Sequence, residues 1–251
     1  MPDSMINRFP LIFNGESVLI GTANELAIAL DVLQGQSDHE ALIQLEPHLT
    51  EIIGNANGLM TVIRSLSLDN QIFLIQVIGP DLGDVIQNAA CLRDILAVVS
   101  DPRMEITILT TLGSSGLRSL LETGPELSDV LEWVYGECDS LVIDLLGKDY
   151  FRRLMRSASD LSNVLRNVDT PLQARILEHL GWSFVVNLVK DGYDLAYLLR
   201  TLPPVNSDQL LHHFSGQQLI SLIGNRTEWN YLYQRLEPAE ADMLLSRIKS
   251  Y

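Results

Sequence analysis

The sequence predicts an all-α fold of about seven helical units, each 33–35 residues long, behind a short hairpin or extended arm. Three observations lead there. A large apolar residue returns on a near-constant period: Leu26, Leu59, Leu92, Leu127, Leu161, Leu195 and Trp229 lie 33, 33, 35, 34, 34 and 34 residues apart. Around each anchor the apolar residues have the i, i+3, i+4, i+7 spacing of one buried helix face. Glycine or proline then breaks the pattern at a recurring place: Gly79-Pro80, Gly113, Gly147 and Gly181, with Glu46-Pro47 in the first unit.

Residues 1–23 stand outside the repeat. Phe9–Phe13 and Glu16–Ile20 flank Asn14-Gly15, a dipeptide suited to a type I′ hairpin turn. A lone two-stranded hairpin is marginal in water, so it is expected to lie as a cap on the first helical unit. Residues 24–251 form the helical-repeat domain, with units starting near 24, 57, 90, 125, 159, 193 and 227.

The pattern is clearest over Ser159–Gly192. A first helix, a, is marked by Leu161, Val164, Leu165 and Val168. A second, b, carries Ile176, Leu177 and Leu180, and a third, c, carries Phe184, Leu188 and Val189. Asp169-Thr170-Pro171 parts a from b, Gly181 ends b, and Gly192 is expected to close c. Seven residues after each anchor the units carry Leu33, Leu66, Val99, Val134, Val168, Leu202 and Leu236. Helix b recurs as Leu74, Ile75, Ile78; Val142, Ile143, Leu146; Leu210, Leu211, Phe214; and Leu244, Leu245, Ile248. The third unit fits after a one-residue insertion, with Ile108, Leu109 and Leu112, and the first more loosely, with Ala41, Leu42 and Leu45. The seventh unit reaches Tyr251 within helix b and reads as a terminal cap kept soluble by Arg235, Arg247 and Lys249. Helices this short do not hold alone, so each must bury its face on its neighbours.

This pattern resembles armadillo-type and HEAT-type α-solenoids, which implies a right-handed superhelix. The LxxLLxxLPP stretch Leu195–Pro204 is similar to helical domains of magnesium-transporter and flagellar-switch proteins. The 34-residue period matches TAL-effector repeats, but the glycine-containing base-reading loop of that family is absent. These resemblances are architectural and carry no functional residue across. At the C-terminus Glu237, Glu240 and Asp242 precede Met243–Tyr251, which resembles the glutamate-rich signals of type IV-secreted bacterial effectors.

The formal net charge is −15. Residues 1–147 hold 5 Lys/Arg and 21 Asp/Glu, whereas residues 148–251 hold 12 and 11, so the acidity lies in the first part. That field repels phosphate backbones and anionic lipid surfaces, and it favours a basic protein partner. No apolar run approaches the ~18 residues of a membrane span, and the first residues show no Sec-type leader. A cytoplasmic location is expected, with secretion into a host cell by a Sec-independent route as the alternative. Cys91 and Cys138 make no metal-ligand spacing and read as reduced, packed thiols.

No catalytic motif is recognisable: there is no GxGxxG, Walker loop or GxSxG. Gly113-Ser114-Ser115-Gly116 reads as a helix break with serine capping. His39, His48, His179, His212 and His213 form neither HxxxH nor HExxH, so neither metal nor cofactor is expected. Large residues at positions the repeat leaves variable are more informative. Trp133 shares its column with Val32, Ser65, Val98, Asn167, Thr201 and Arg235, and Tyr135 with Gln34, Ser67, Ser100, Asp169 and Pro203. Trp182 opens a helix c where other units carry Pro47, Pro80 and Lys148. Tyr197 and Tyr231 share a column with Thr61, Asp94, Asp129 and Asn163, whereas Trp229 holds an anchor and reads as core. Exposed Trp, Tyr and Arg are the usual anchors of protein interfaces. Lys148, Arg152, Arg153 and Arg156 add a basic turn suited to an acidic peptide or a phosphate, or to neutralising the acidic unit before it.

The expected function is therefore a non-catalytic scaffold or regulator that binds a protein partner in a groove, with Trp133, Tyr135, Arg152, Arg153, Arg156, Trp182 and Tyr197 as candidate contacts. A secreted bacterial effector or effector regulator is one version of this reading. The alternatives are an enzyme with an unrecognised groove site using carboxylates and His179 or His212, and a regulatory domain related to transport machinery. The oligomeric state stays open at this level.

Overall fold

Asn14 and Gly15 adopt positive φ angles of 51° and 81°, as a type I′ turn requires, and the chain folds back on itself there. Strands β1 (Phe9–Phe13) and β2 (Glu16–Ile20) pair antiparallel, with Phe9 opposite Ile20 and Phe13 opposite Glu16. The computed structural model describes residues 7–33, 36–234, 236 and 238–249; beyond this hairpin their regular structure is helical. The Cα packing divides the chain into two units. One runs to Leu121 and includes Trp133–Leu141; the other comprises Glu122–Glu132 and the chain from Val142 onward.

In the first unit the helices are α1 (Ala23–Leu33), α2 (Gln36–Leu45), α3 (Leu49–Ile53), α4 (Ala56–Arg64), α5 (Leu68–Ile78), α6 (Leu82–Ile86), α7 (Ala89–Val98) and α8 (Pro102–Leu120). Single 3-10 turns at Glu46–His48 and Gly79–Asp81 lead into α3 and α6. Helices α1, α4 and α7 pack in series, as do α2, α5 and α8. Strand β1 rests on α2, burying Leu11, and Ile20 of β2 is buried with it. Gln44 of α2 accepts the Ile12 N–H at 3.0 Å and donates to the Ile12 carbonyl at 3.2 Å. Phe9 stacks on His48 at 3.8 Å. The hairpin is thus fastened to the first helices, as its marginal stability alone requires.

Helix α9 (Gly124–Leu131) belongs to the second unit, and α10 (Gly136–Leu146) carries the chain onward. Then come α11 (Lys148–Leu154), α12 (Ala158–Arg166), α13 (Thr170–Leu180), α14 (Trp182–Leu188), α15 (Gly192–Thr201), α16 (Pro204–His212), α17 (Gly216–Ile223), α18 (Arg226–Tyr233) and α19 (Pro238–Lys249). Helices α9, α12, α15 and α18 pack in series. The six leucine anchors are fully buried, and so are the leading helix-b residues Leu74, Ile108, Val142, Ile176, Leu210 and Leu244.

Two local rules set the helix boundaries. Four residues before each anchor stands Thr22, Asn55, Asn88, Thr123, Ser157, Asp191 or Asn225, and each of these side chains accepts a backbone N–H of the helix it precedes. At the end of helix b, Gly79, Gly113, Gly147 and Gly181 take φ between 50° and 80°, which side chains resist. At Gly113 this breaks the otherwise continuous α8. Gly192 does not close a helix c: Asp191 caps α15 and Gly192 is its first helical residue, so α14 ends at Leu188.

Candidate protein-binding surface

In several helix pairs a polar side chain in the first turn of helix b reaches the end of helix a. Twelve residues after the anchor, in the first turn of helix b, Gln71 Nε2 donates to the Ile63 and Leu66 carbonyls at 2.8 and 3.0 Å. Its counterpart Gln173 donates to the Leu165 carbonyl at 2.8 Å, and the Ser207 hydroxyl lies 3.4 Å from the Leu199 and Leu202 carbonyls. These bonds add side-chain donors at the end of helix a, where the regular intrahelical donors run out. In the third repeat the same place, displaced by the insertion, holds Glu105. Successive a helices are also tied side to side. Asn167 Nδ2 donates to the Ser128 carbonyl at 2.7 Å, and Ser162 and Thr201 hydroxyls meet at 2.5 Å.

Asn167 and Thr201, which share a sequence column with Trp133, thus make bonds between neighbouring helices of the second unit. Trp133 itself is 48% exposed and Tyr135 46%. Tyr135 is held at both ends: its N–H donates to Glu105 Oε2 at 2.9 Å, and its hydroxyl donates to the Ser100 carbonyl at 3.4 Å. Glu105 is fully buried, and its other oxygen, Oε1, meets no hydrogen-bond donor within bonding geometry among the described residues. Burial raises its carboxyl above the ordinary value, against the Tyr135 N–H and the Cys138 thiol, which favour the ionised form. The Cys138 thiol is pushed up to about 12 by burial and by the Glu105 charge.

In the second unit the basic turn is partly committed to structure. Arg152 Nε donates to the Leu180 carbonyl at 3.0 Å, its Nη2 bonds the same oxygen, and the guanidinium lies 5.5 Å from the Phe184 ring centre. It thereby closes the end of α13. Arg156 donates to the Glu122 carbonyl at 3.3 Å. Arg153 is exposed over Tyr150, 5.0 Å from its ring centre, and Lys148 is exposed. Trp182 is half-buried and stacks on His213 at 5.0 Å. Tyr197 is half-buried beneath Arg166, 5.6 Å from its ring centre. Trp229, expected in the core, is only half-buried. Leu232 takes the buried place on α18, and Trp229 lies along Tyr233.

The histidines and C-terminal carboxylates are equally specific in their placement. Burial, then the Lys148 and Arg175 charges, lower the His179 pKa, with Asp144 opposing and Arg152 assisting. His212 faces Asp208 within 3.2 Å. Glu240 is buried and accepts the Ser207 hydroxyl at 3.2 Å; Glu237 and Arg235 lie outside the described residues.

Two cavities lie in the first unit. A polar cleft of about 550 Å³ is lined by Asn7, Glu51, Asn55 and Asn57 among others. An apolar groove of about 450 Å³ runs between the hairpin and α1, lined by Val18, Leu19, Ile28, Ala29 and Val32. Among the described residues no group of three or more His, Cys, Asp and Glu could hold a metal ion, and no helix is long and apolar enough to cross a membrane. No family model, curated protein or solved structure matches the chain.

Proposed function

We propose that the protein is a non-catalytic scaffold of the α-solenoid type that binds a protein partner. The observation that carries this reading is the division of labour within the repeat. Its polar groups at fixed positions are engaged by backbone, as at Gln71, Gln173 and Ser207. Large aromatic side chains, Trp133 and Tyr135, are instead half exposed at positions free to vary. Rigid, half-exposed Trp and Tyr supply interface area at low entropic cost. Arg153 and the accessible parts of Trp182 and Tyr197 extend the set in the second unit. The acidity of residues 1–147 makes a basic partner the favoured class.

Affinity capture with the wild type and a Trp133→Ala/Trp182→Ala double variant, followed by mass spectrometry, tests this. A partner held by the wild type and lost by the variant is expected, with the melting temperature unchanged. If the variant unfolds, these residues are core and the reading fails.

A further inference from the structure

The hairpin has one closed edge and one open edge. In a two-residue hairpin the pair flanking the turn is hydrogen-bonded and the pairs alternate from there. Phe13–Glu16, Leu11–Val18 and Phe9–Ile20 therefore exchange bonds, while the N–H and C=O groups of Pro10, Ile12, Ser17 and Leu19 point away from the partner strand. On β1 this outward edge is closed. Gln44 takes both groups of Ile12, and Pro10 has no N–H to offer. On β2 it is open: the backbone groups of Ser17 and Leu19 have no partner among the described residues, and both residues are exposed. An open strand edge is a template for another strand.

Residues of the same strand, Glu16 and Val18 to Ile20, line the 450 Å³ apolar groove. Val18 and Leu19 are each 52% exposed, and across the groove Ile28 is 65% and Val32 77% exposed. Ile28 and Val32 are one helical turn apart and form a single apolar ledge on α1. The surroundings are acidic. Residues 7–63 carry seven carboxylates and one base, Arg8, which already pairs with Glu25 at 2.9 Å. Glu16, exposed and lining the groove, has no ion-pair partner among the described residues.

We propose that β2 receives an extended segment of a protein partner as a third strand, with alternate apolar side chains in the groove and Lys or Arg between them. Backbone bonds to Ser17 and Leu19 supply the pairing, and alternation supplies the fit. Charge selects this occupant over a second copy, because two copies would bring like-charged acidic hairpins together. The proposal rests on the protein-binding reading above only for the class of its ligand, since it uses none of that reading's residues.

The probe is a fluorescent seven-residue peptide of alternating lysine and valine, followed by anisotropy. Wild type should bind it, more weakly as salt rises from about 0.05 to 0.5 M. Leu19→Pro removes one outward donor at unchanged charge; its N–H is not used in the hairpin, so the fold should keep it. Ile28→Asn/Val32→Asn removes the ledge, also at unchanged charge. Each should weaken binding at least about tenfold. No binding at about 1 mM, or equal binding by both folded variants, overturns the proposal. Sedimentation without peptide supplies the remaining outcome: a wild-type dimer lost in Leu19→Pro would give the edge to a second copy and overturn it too. Capture that depends on Trp133 and Trp182 is unaffected by any of these results.

Discussion

Replacing Glu105 with glutamine should stabilise the first unit, and should do so only above acid pH. Glu105 is fully buried and bonds the Tyr135 N–H with one oxygen, while Oε1 is unsatisfied. An unsatisfied buried oxygen costs about 1–3 kcal/mol, more when it carries charge. Glutamine keeps the acceptor for Tyr135 and replaces the idle oxygen with an NH2 group. Gln71 and Gln173, at the equivalent place, use that group to reach carbonyls of helix a. One such neutral bond contributes about 1 kcal/mol, so Glu105→Gln should gain about 1–2 kcal/mol near neutral pH. The sign of the pH dependence follows from linkage. A carboxyl raised above its ordinary 4.5 binds its proton more tightly folded than unfolded. Wild-type stability therefore falls as pH climbs from 4.5 through the raised value and levels off above it. The variant lacks that step, so its advantage should be full at about pH 7.5 and smallest at about pH 4. Trp133 lies in the same unit as Glu105, and Trp182 and Trp229 lie in the other. In a Trp182→Phe/Trp229→Phe background, urea unfolding followed by fluorescence thus reads the unit concerned. No gain near neutral pH, or an equal gain at both pH values, would refute the reasoning.

Three further outcomes follow from local geometry. Gly181→Ala should lose about 1–2 kcal/mol in urea unfolding, because φ is 80° there and the added Cβ would lie 3.3 Å from Arg152 Nη2; an unchanged midpoint would contradict this. Asn167→Ala should lose about 0.5–1.5 kcal/mol, since it removes the 2.7 Å bond to the Ser128 carbonyl that ties α12 to α9. With iodoacetamide at about pH 8.5, Cys91 should label in the native protein and Cys138 only on unfolding. Cys138 is fully buried with its thiol pushed up to about 12; equal native labelling of both, read by peptide mass, would count against that placement.

Apolar periodicity made the anchors, the helix-b faces and the hairpin legible in the sequence, because each depends on residues adjacent along the chain. The capping column was just as legible and was missed: Thr22, Asn55, Asn88, Thr123, Ser157, Asp191 and Asn225 stand at one offset and share one chemistry. Asp191 belongs to that column, which is why Gly192 opens α15 rather than closing α14. The buried polar position was harder to find. Its occupants, among them Gln71, Glu105, Gln173 and Ser207, differ in charge and size, and a polar residue in a first helical turn ordinarily faces water. Only the packing of helix b against the end of helix a buries it. Arg152 was hidden for a related reason: its acceptor, the Leu180 carbonyl, is 28 residues away and has no sequence signature.

The two candidate surfaces of the first unit differ in the part of a partner they can recognise. Trp133 and Tyr135 present side-chain area, so they discriminate by the shape and chemistry of what packs on them. Tyr135 is tethered by its backbone N–H and its hydroxyl, which reduces the freedom to be lost on binding. The β2 edge presents backbone, which any extended segment can match, and leaves discrimination to Ile28, Val32 and the acidic surroundings. The edge alone would be an aggregation hazard, since nothing in its backbone rejects a second copy. The acidic charge of residues 7–63 supplies that rejection while still admitting a basic segment. Exchanging Glu16, which lines the groove, for lysine should therefore weaken binding of the lysine–valine peptide and promote self-association at the same edge. Sedimentation showing a variant as monomeric as the wild type would separate the two effects and remove charge as the reason the edge stays open.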